Sequence, residues 1–229
     1  MIRNVFLDLD DTIFDFGRAE REALTRTLVH FGVTPASEIL DRYSELNLMH
    51  WRMLERGEIT REQVKVRRYE RLFDEYGIDI SAADAAEYYE HRLSIGHFFL
   101  DGAPELLNNL KNGGYRLFIV SNGSASVQKG RLDSAGIESM FDGIFISQNI
   151  GFDKPDRRFF ERCFSKISDF DRSQSVIMGD SLTSDIKGGK NAGIATVWFN
   201  PHGAHNATDI TPDYTVERLC DLPELLMRI

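Results

Sequence analysis

Two cysteines, Cys163 and Cys220, are all that the 229 residues contain. They form no C-x-x-C and supply no disulfide framework, which excludes a small secreted scaffold and points to a reduced, cytosolic setting. Long apolar runs are missing as well. Nothing approaches the ~20 residues that span a bilayer, and the apolar stretch in "MIRNVFLDLDD" is too short for a signal peptide before acids interrupt it. Positive charge is in deficit: 27 Lys and Arg stand against 36 Asp and Glu, a net charge of −9. Nucleic-acid polymers and anionic membranes are therefore poor partners. A small phosphorylated ligand is still permitted, because one pocket can be positive inside an acidic chain. Neither an internal repeat nor a low-complexity segment is present. "GGKNAG" lacks the G-x-x-x-x-G-K-[ST] of a nucleotide loop, since Asn191 follows Lys190 and Ser184 stands where the first glycine belongs. His202 and His205 have no companions at zinc-like spacing.

What remains is an ordinary globular chain, 42% hydrophobic and 28% charged, long enough for one or two domains. "RNVFLDL" at the start and "YRLFIV" (115–120), "GIFIS" (143–147), "SVIMG" (175–179) and "ATVWF" (195–199) read as buried strands, short and rich in β-branched or aromatic residues. Helical patterns lie between them at 103–113, 124–136, 156–167 and 183–193, with glycines where they stop. A last helix is expected in "LCDLPELLMRI". This is the rhythm of a doubly wound, Rossmann-like parallel sheet covered by helices. Residues 16–99 interrupt it. Their periodicity is helical throughout, with Ala23, Leu24, Leu28 and Phe31 on one face, Tyr69, Leu72, Phe73 and Tyr76 on a second, and Ala85, Tyr88, Tyr89 and Leu93 on a third. The spacing predicts an α/β core of 1–15 and 100–229 and an all-helical insert of 16–99.

Ligands of open parallel sheets bind at the carboxyl ends of strands. Four strand ends carry chemistry here. Asp8 and Asp10 follow the first, in D-x-D-x-T; Ser121 and Asn122 follow the second; Lys154 lies in "GFDKP" after the third; Gly179-Asp180 follows the fourth, with Asp185 five residues on. Alternation along an extended backbone turns Asp8 and Asp10 to the same side. Asp11 then faces elsewhere and reads as a turn carboxylate, and the Thr12 hydroxyl is expected to bond turn backbone. Trp51, Tyr88 and Tyr89 are of a type that stacks on nucleobases, although core packing is the commoner fate of aromatics at helical spacing.

The ordered set D-x-D-x-T, S-N, K-P, G-D-x-x-x-x-D resembles the phosphohydrolases of the haloacid dehalogenase-like (HAD) superfamily, and the insert resembles that family's C1-type helical cap. The resemblance implies Asp8 as the nucleophile that becomes an aspartyl-phosphate. It implies Asp10 as general acid and then base, and Lys154 as the cation stabilising the nucleophile and the phosphoryl group. Ser121 and Asn122 would bind phosphate with Lys154. Mg²⁺ would be held by Asp8, the Asp10 carbonyl and Asp180, with Asp185 behind them. "FLDLDDTIFDF", "GFDKPDRRFF" and "GDSLTSDIKGGKNAG" are most similar to the pyrimidine 5′-nucleotidase group, although Arg157 stands where many members of the superfamily carry a second proline. The expected substrate is a small phosphorylated metabolite, a nucleoside monophosphate, and the chain a monomer or homodimer. A sugar-phosphate phosphatase or a phosphomutase shares the four motifs. A receiver-like phospho-acceptor would place its aspartate after a middle strand and needs no insert, and a non-catalytic binding module would not keep every acid and the lysine.

Overall fold

The computed structural model describes residues 1–229. Six strands form one sheet: β1 (Asn4–Leu7), β2 (Arg116–Ser121), β3 (Gly143–Ile146), β4 (Ser175–Gly179), β5 (Ala195–Phe199) and β6 (Tyr214–Val216), in the order β3-β2-β1-β4-β5-β6. All neighbouring pairs are parallel. β1 is central, so helices cover both its faces and all four of its residues are buried; hence its unbroken apolar reading. At its start Asn4 pins three strands, donating to Ser175 Oγ at 2.9 Å and accepting from Arg116 Nε at 2.8 Å. The chain winds outward from β1 to β3 on one side, then returns to β4 and winds outward on the other. The reversal between β1 and β4 opens a crevice at their carboxyl ends.

Between β1 and β2 the chain forms α1 (Phe16–His30), α2 (Ser37–Glu55), α3 (Arg61–Tyr76), α4 (Ala82–Ser94) and α5 (Ala103–Asn112). After β2 come α6 (Ala125–Ala135), α7 (Ser147–Ile150), α8 (Arg157–Phe164), α9 (Lys187–Ala192) and α10 (Leu222–Leu226). Local chemistry sets several ends. Thr60 and Gln63 make a reciprocal capping box at the start of α3, and Gly77 ends it in the left-handed conformation. Ser81 caps α4 and Asp156 caps α8.

Two compact units result. The first is Met1–Asp15, Phe98–Gln128 and Ala135–Ile229; the second is Phe16–His97 together with Lys129–Ser134. The sheet unit is built on a phenylalanine-rich core in which Phe6 stacks on Phe118 at 5.0 Å and Phe159, Phe160 and Phe164 are buried. Each such ring contributes about 1.5–3 kcal/mol on burial. α9 lies very close to the sheet: a Cβ on Gly189 would meet Ile177 at 2.5 Å and Thr196 at 2.6 Å, so "GGKNAG" is close packing.

The second unit is all helical. Its centre holds Tyr43, Tyr69 and Tyr89, fully buried, with the Arg68 guanidinium 5.0–5.6 Å from the three rings. Arg68 donates to Asn47 at 2.6 Å, and Asn47 and Ser44 donate to the buried Glu20. Tyr89 is thus core, and Tyr88 stacks on His30 at 4.0 Å. Trp51 lies half-buried under the Arg61 guanidinium. Tyr76, expected on the buried face of α3, is exposed because it sits at the helix end. Residues 129–134 join this unit through Arg131, which donates to the Gly96 carbonyl at 2.9 Å, and Ser134, which donates to the Ile95 carbonyl at 3.2 Å.

The predicted 183–193 helix is divided. Leu182–Ile186 is a π-helical turn, in which Ile186 N–H donates to the Ser181 carbonyl at 3.1 Å, and only Lys187–Ala192 is α-helical. The terminal segment contributes a short turn, Leu219–Asp221, and α10, with Leu219, Leu222 and Leu226 buried. β6 is an addition, an edge strand of three residues. No helix is long and apolar enough to cross a membrane.

Candidate active site

The crevice between β1 and β4 gathers the acids. β1 ends at Leu7, and the Asp8 N–H is anchored to the Met178 carbonyl at 3.0 Å, so the Asp8 side chain emerges at the switch point. Asp8 Oδ1 accepts from Lys154 Nζ at 2.6 Å. The same ammonium donates to Asp185 Oδ1 at 2.6 Å and to the Val120 carbonyl at 2.7 Å. An ammonium has three hydrogens, and here each has an acceptor in the protein. Lys154 is 2% exposed, so this geometry is fixed and dry.

Two further contacts hold the arrangement. Asn122 Oδ1 accepts from the Lys154 N–H at 2.8 Å, and its Nδ2 donates to the Lys154 carbonyl at 2.9 Å. The Asn122 side chain therefore grips the backbone of the lysine; with both ends so engaged, it is a clamp on the loop where the sequence suggested a phosphate ligand. Asp185 is aimed by the π-helical turn, its Oδ2 accepting from the Ser181 N–H at 3.1 Å. Residue 179 has to be glycine for this to occur, because a Cβ there would lie 2.3 Å from the Asp185 carboxyl.

Asp8, Asp180 and Asp185 each offer a carboxylate oxygen, all within 4.8 Å of one another. One ammonium faces three carboxylates. Burial pushes the Asp8 carboxyl up to about 8, with Asp185 and Asp10 adding to the rise and Lys154 opposing it. Burial raises Asp180 as well, reinforced by Asp185 and Asp8. Burial works against the Lys154 ammonium, but Asp185 and Asp8 outweigh it, so its pKa is raised and the charge stays on. An all-oxygen cluster with surplus negative charge suits a hard divalent cation such as Mg²⁺. The residues present fit that ion, and Asp185 lies within the cluster itself.

Asp10 leaves the strand beside Asp8, and its Oδ2 accepts from Gln128 Nε2 at 2.6 Å. Ser121, the last residue of β2, is 1% exposed, and its Oγ accepts from the Gly123 N–H at 3.1 Å and from Gln128 Nε2 at 2.9 Å. With both lone pairs occupied, the hydroxyl hydrogen is left to donate. Asp11 is exposed in a left-handed turn (φ 52°) and its N–H donates to the Phe14 carbonyl. The Thr12 hydroxyl, expected to bond the turn backbone, is buried without a hydrogen-bond partner. Gln128 was not visible in the sequence, where a glutamine inside a helix carries no chemical signature.

The model of the family described as haloacid dehalogenase-like hydrolase matches residues 5–199. The chain is 37% identical over 224 residues to the HAD-hydrolase YfnB of Bacillus subtilis, covering 98% of this chain and 95% of that protein. The crystal structure of YfnB, which contains magnesium, superposes with a TM-score of 0.93 over 98% of both chains. Pyrimidine 5′-nucleotidase PynA of Streptococcus pneumoniae is 36% identical, with 97% of this chain and 94% of that one covered. Pyrimidine 5′-nucleotidase YjjG of Escherichia coli is 31% identical, with 98% and 97% covered.

Proposed function

Since the chain belongs to the haloacid dehalogenase-like hydrolases, we propose that it is a Mg²⁺-dependent 5′-nucleotidase acting on pyrimidine nucleoside monophosphates through a phospho-enzyme on Asp8. The observation that carries this is the Asp8 carboxylate itself, held 2.6 Å from a saturated, buried ammonium at the switch point of the sheet. The identities to PynA and YjjG support the substrate class.

A phosphate monoester brings about −1.5 to −2 charge to this acidic crevice. Mg²⁺ held by Asp8, Asp180 and the Asp10 carbonyl, with Asp185 beside them, would supply the positive charge that lets a carboxylate and a phosphate approach. The Asp8 oxygen attacks phosphorus, and the bond from phosphorus to the ester oxygen breaks. Asp10 delivers its proton to that leaving oxygen. Asp10, now a carboxylate, takes a proton from water as the water attacks the phosphorus. The Asp8–phosphorus bond then breaks, releasing inorganic phosphate and restoring Asp8. Lys154 keeps the attacking oxygen in place and offsets its charge. Because its three hydrogens already have acceptors, its service is to the nucleophile, and a phosphoryl oxygen reaches it only by displacing one of them. Ser121 donates to a phosphoryl oxygen.

Phosphate release from UMP, dUMP, TMP and a set of sugar phosphates, with Mg²⁺ and with EDTA, tests this. Magnesium-dependent turnover led by the pyrimidine nucleotides is expected. Turnover led by a sugar or triose phosphate would retain the mechanism and discard the nucleotide, an outcome in keeping with the 27% identity to glyceraldehyde 3-phosphate phosphatase of Methanothermobacter thermautotrophicus. No release from any ester would discard the hydrolase mechanism.

A further inference from the structure

Gln128 has no part in the steps above, yet it is the side chain that ties Asp10 to Ser121. It lies in the first turn of α6, 1% exposed, and its Nε2 donates to Asp10 Oδ2 at 2.6 Å and to Ser121 Oγ at 2.9 Å. Both amide hydrogens are spent on these two residues. Room for the amide depends on residue 123: a Cβ on Gly123 would lie 2.3 Å from Gln128 Nε2 and 2.7 Å from its Cδ. No left-handed backbone demands glycine at 123; the glutamine does. Two positions with no reacting group are therefore fitted to each other, and the product of the fit is a donor placed on one oxygen of Asp10.

We propose that Gln128 is a positioning residue for proton transfer by Asp10. By donating to Oδ2 it holds the carboxyl group against rotation about its last bond. In the first step the Asp10 proton passes to the ester oxygen as the phosphorus–oxygen bond breaks. In the second, Asp10 accepts a proton from the attacking water. The Gln128 N–H faces the negative charge that Asp10 carries between these steps. The same amide, with the Gly123 N–H, fixes Ser121 as a donor. The proposal rests on Asp10 acting as acid and then base.

General acid–base catalysis contributes about 10²–10⁴ in rate, and losing the orientation of the acid forfeits part of it, about 10-fold. That loss depends on the leaving group. A nucleoside alkoxide needs a proton as it departs; p-nitrophenolate does not. The experiment measures kcat/KM with Mg²⁺ for UMP and for p-nitrophenyl phosphate in wild type, Asp10→Asn, Gln128→Leu and Gly123→Ala. Gln128→Leu keeps the bulk and removes the donor. It is expected to lower the ratio of UMP to p-nitrophenyl phosphate activity at least about fivefold. Gly123→Ala should shift the ratio in the same direction, because its Cβ would displace the amide. A partly folded variant loses both activities together and leaves the ratio unchanged, so the ratio decides. An unchanged ratio in Gln128→Leu overturns the positioning role. Wild-type activity in Asp10→Asn would overturn the acid–base reading first, and the proposal with it.

Discussion

Replacing Asp8 by asparagine is expected to stabilise the metal-free protein while abolishing turnover. Asp8 ionises at about 8 in the folded chain against 3.8 for an ordinary aspartate. Between these values the folded state holds a proton that the unfolded chain has released, so stability falls as pH rises through that window. Each pH unit is worth about 1.4 kcal/mol, which sets a ceiling of about 6 kcal/mol at pH 8.5 and about 2 kcal/mol at pH 5. Asparagine removes this cost. That cost is already net of the attraction of the carboxylate for Lys154, which lies 2.6 Å away. Relaxation around a buried charge takes up part of the ceiling, so the gain at pH 8.5 is about 2 kcal/mol or more, at least about 4–8 °C in Tm for a chain of this size. The gain at pH 5 should be correspondingly smaller. Thermal unfolding in EDTA at the two pH values provides the test, with Mg²⁺ added in parallel. The ion should raise the wild-type Tm at pH 8.5 more than that of the variant, because the wild type has more negative charge to neutralise. Equal stability of the two proteins in EDTA at pH 8.5, or a difference independent of pH, would refute the electrostatic account of the site. A variant with substantial phosphatase activity would refute the nucleophile.

Two other substitutions separate chemistry from scaffold. Asp180→Asn should raise the Mg²⁺ concentration for half-maximal rate by about 10-fold or more and lower the maximal rate; an unchanged magnesium titration would remove Asp180 from the ion's ligands. Gly189→Ala places a Cβ 2.5–2.6 Å from Ile177 and Thr196 and should cost about 1–3 kcal/mol in urea unfolding while leaving the magnesium titration unaltered; wild-type stability would show that α9 shifts freely on the sheet.

The centre of the fold was legible because of where its strands lie. β1, β2 and β4 are buried nearly throughout, so they read as continuous apolar runs bounded by polar residues. β6 was not legible. Two of its three residues are exposed, as suits the edge of a sheet, and so short a pattern has no period. Leu182–Ile186 has the residue types of an ordinary helix; the π-helical turn comes from anchoring at Ser181 and the placement of Asp185, neither of which composition reveals. Residues 129–134 share the periodicity of α6 with their neighbours, yet belong with the helical unit because Arg131 and Ser134 bond to Ile95 and Gly96. In the site, Asp8, Asp180, Asp185 and Lys154 were readable from their order at successive strand ends, and the structure places them together. Asn122 stood out by its type and position, but its side chain serves the Lys154 backbone. Gln128 required coordinates, since its partners are 118 and 7 residues away.

The crowding of acids at the first strand end has two physical consequences that need separating. Shape is fixed by protein contacts: all three Lys154 hydrogens have acceptors, Asp185 is held by Ser181, and Asn122 fixes the lysine backbone. Charge is not balanced, because three carboxylates share one ammonium. In the proposed mechanism a divalent ion would therefore serve the electrostatics of the crevice and not its geometry. That reading reconciles an acidic chain with an anionic substrate, since the local field would be set by the ion and Lys154 and not by the net charge of −9. It also accounts for the opposite directions expected of Asp8→Asn. The carboxylate proposed as the nucleophile is one whose ionisation burial opposes, so the residue expected to be indispensable for turnover is one the metal-free fold would be more stable without.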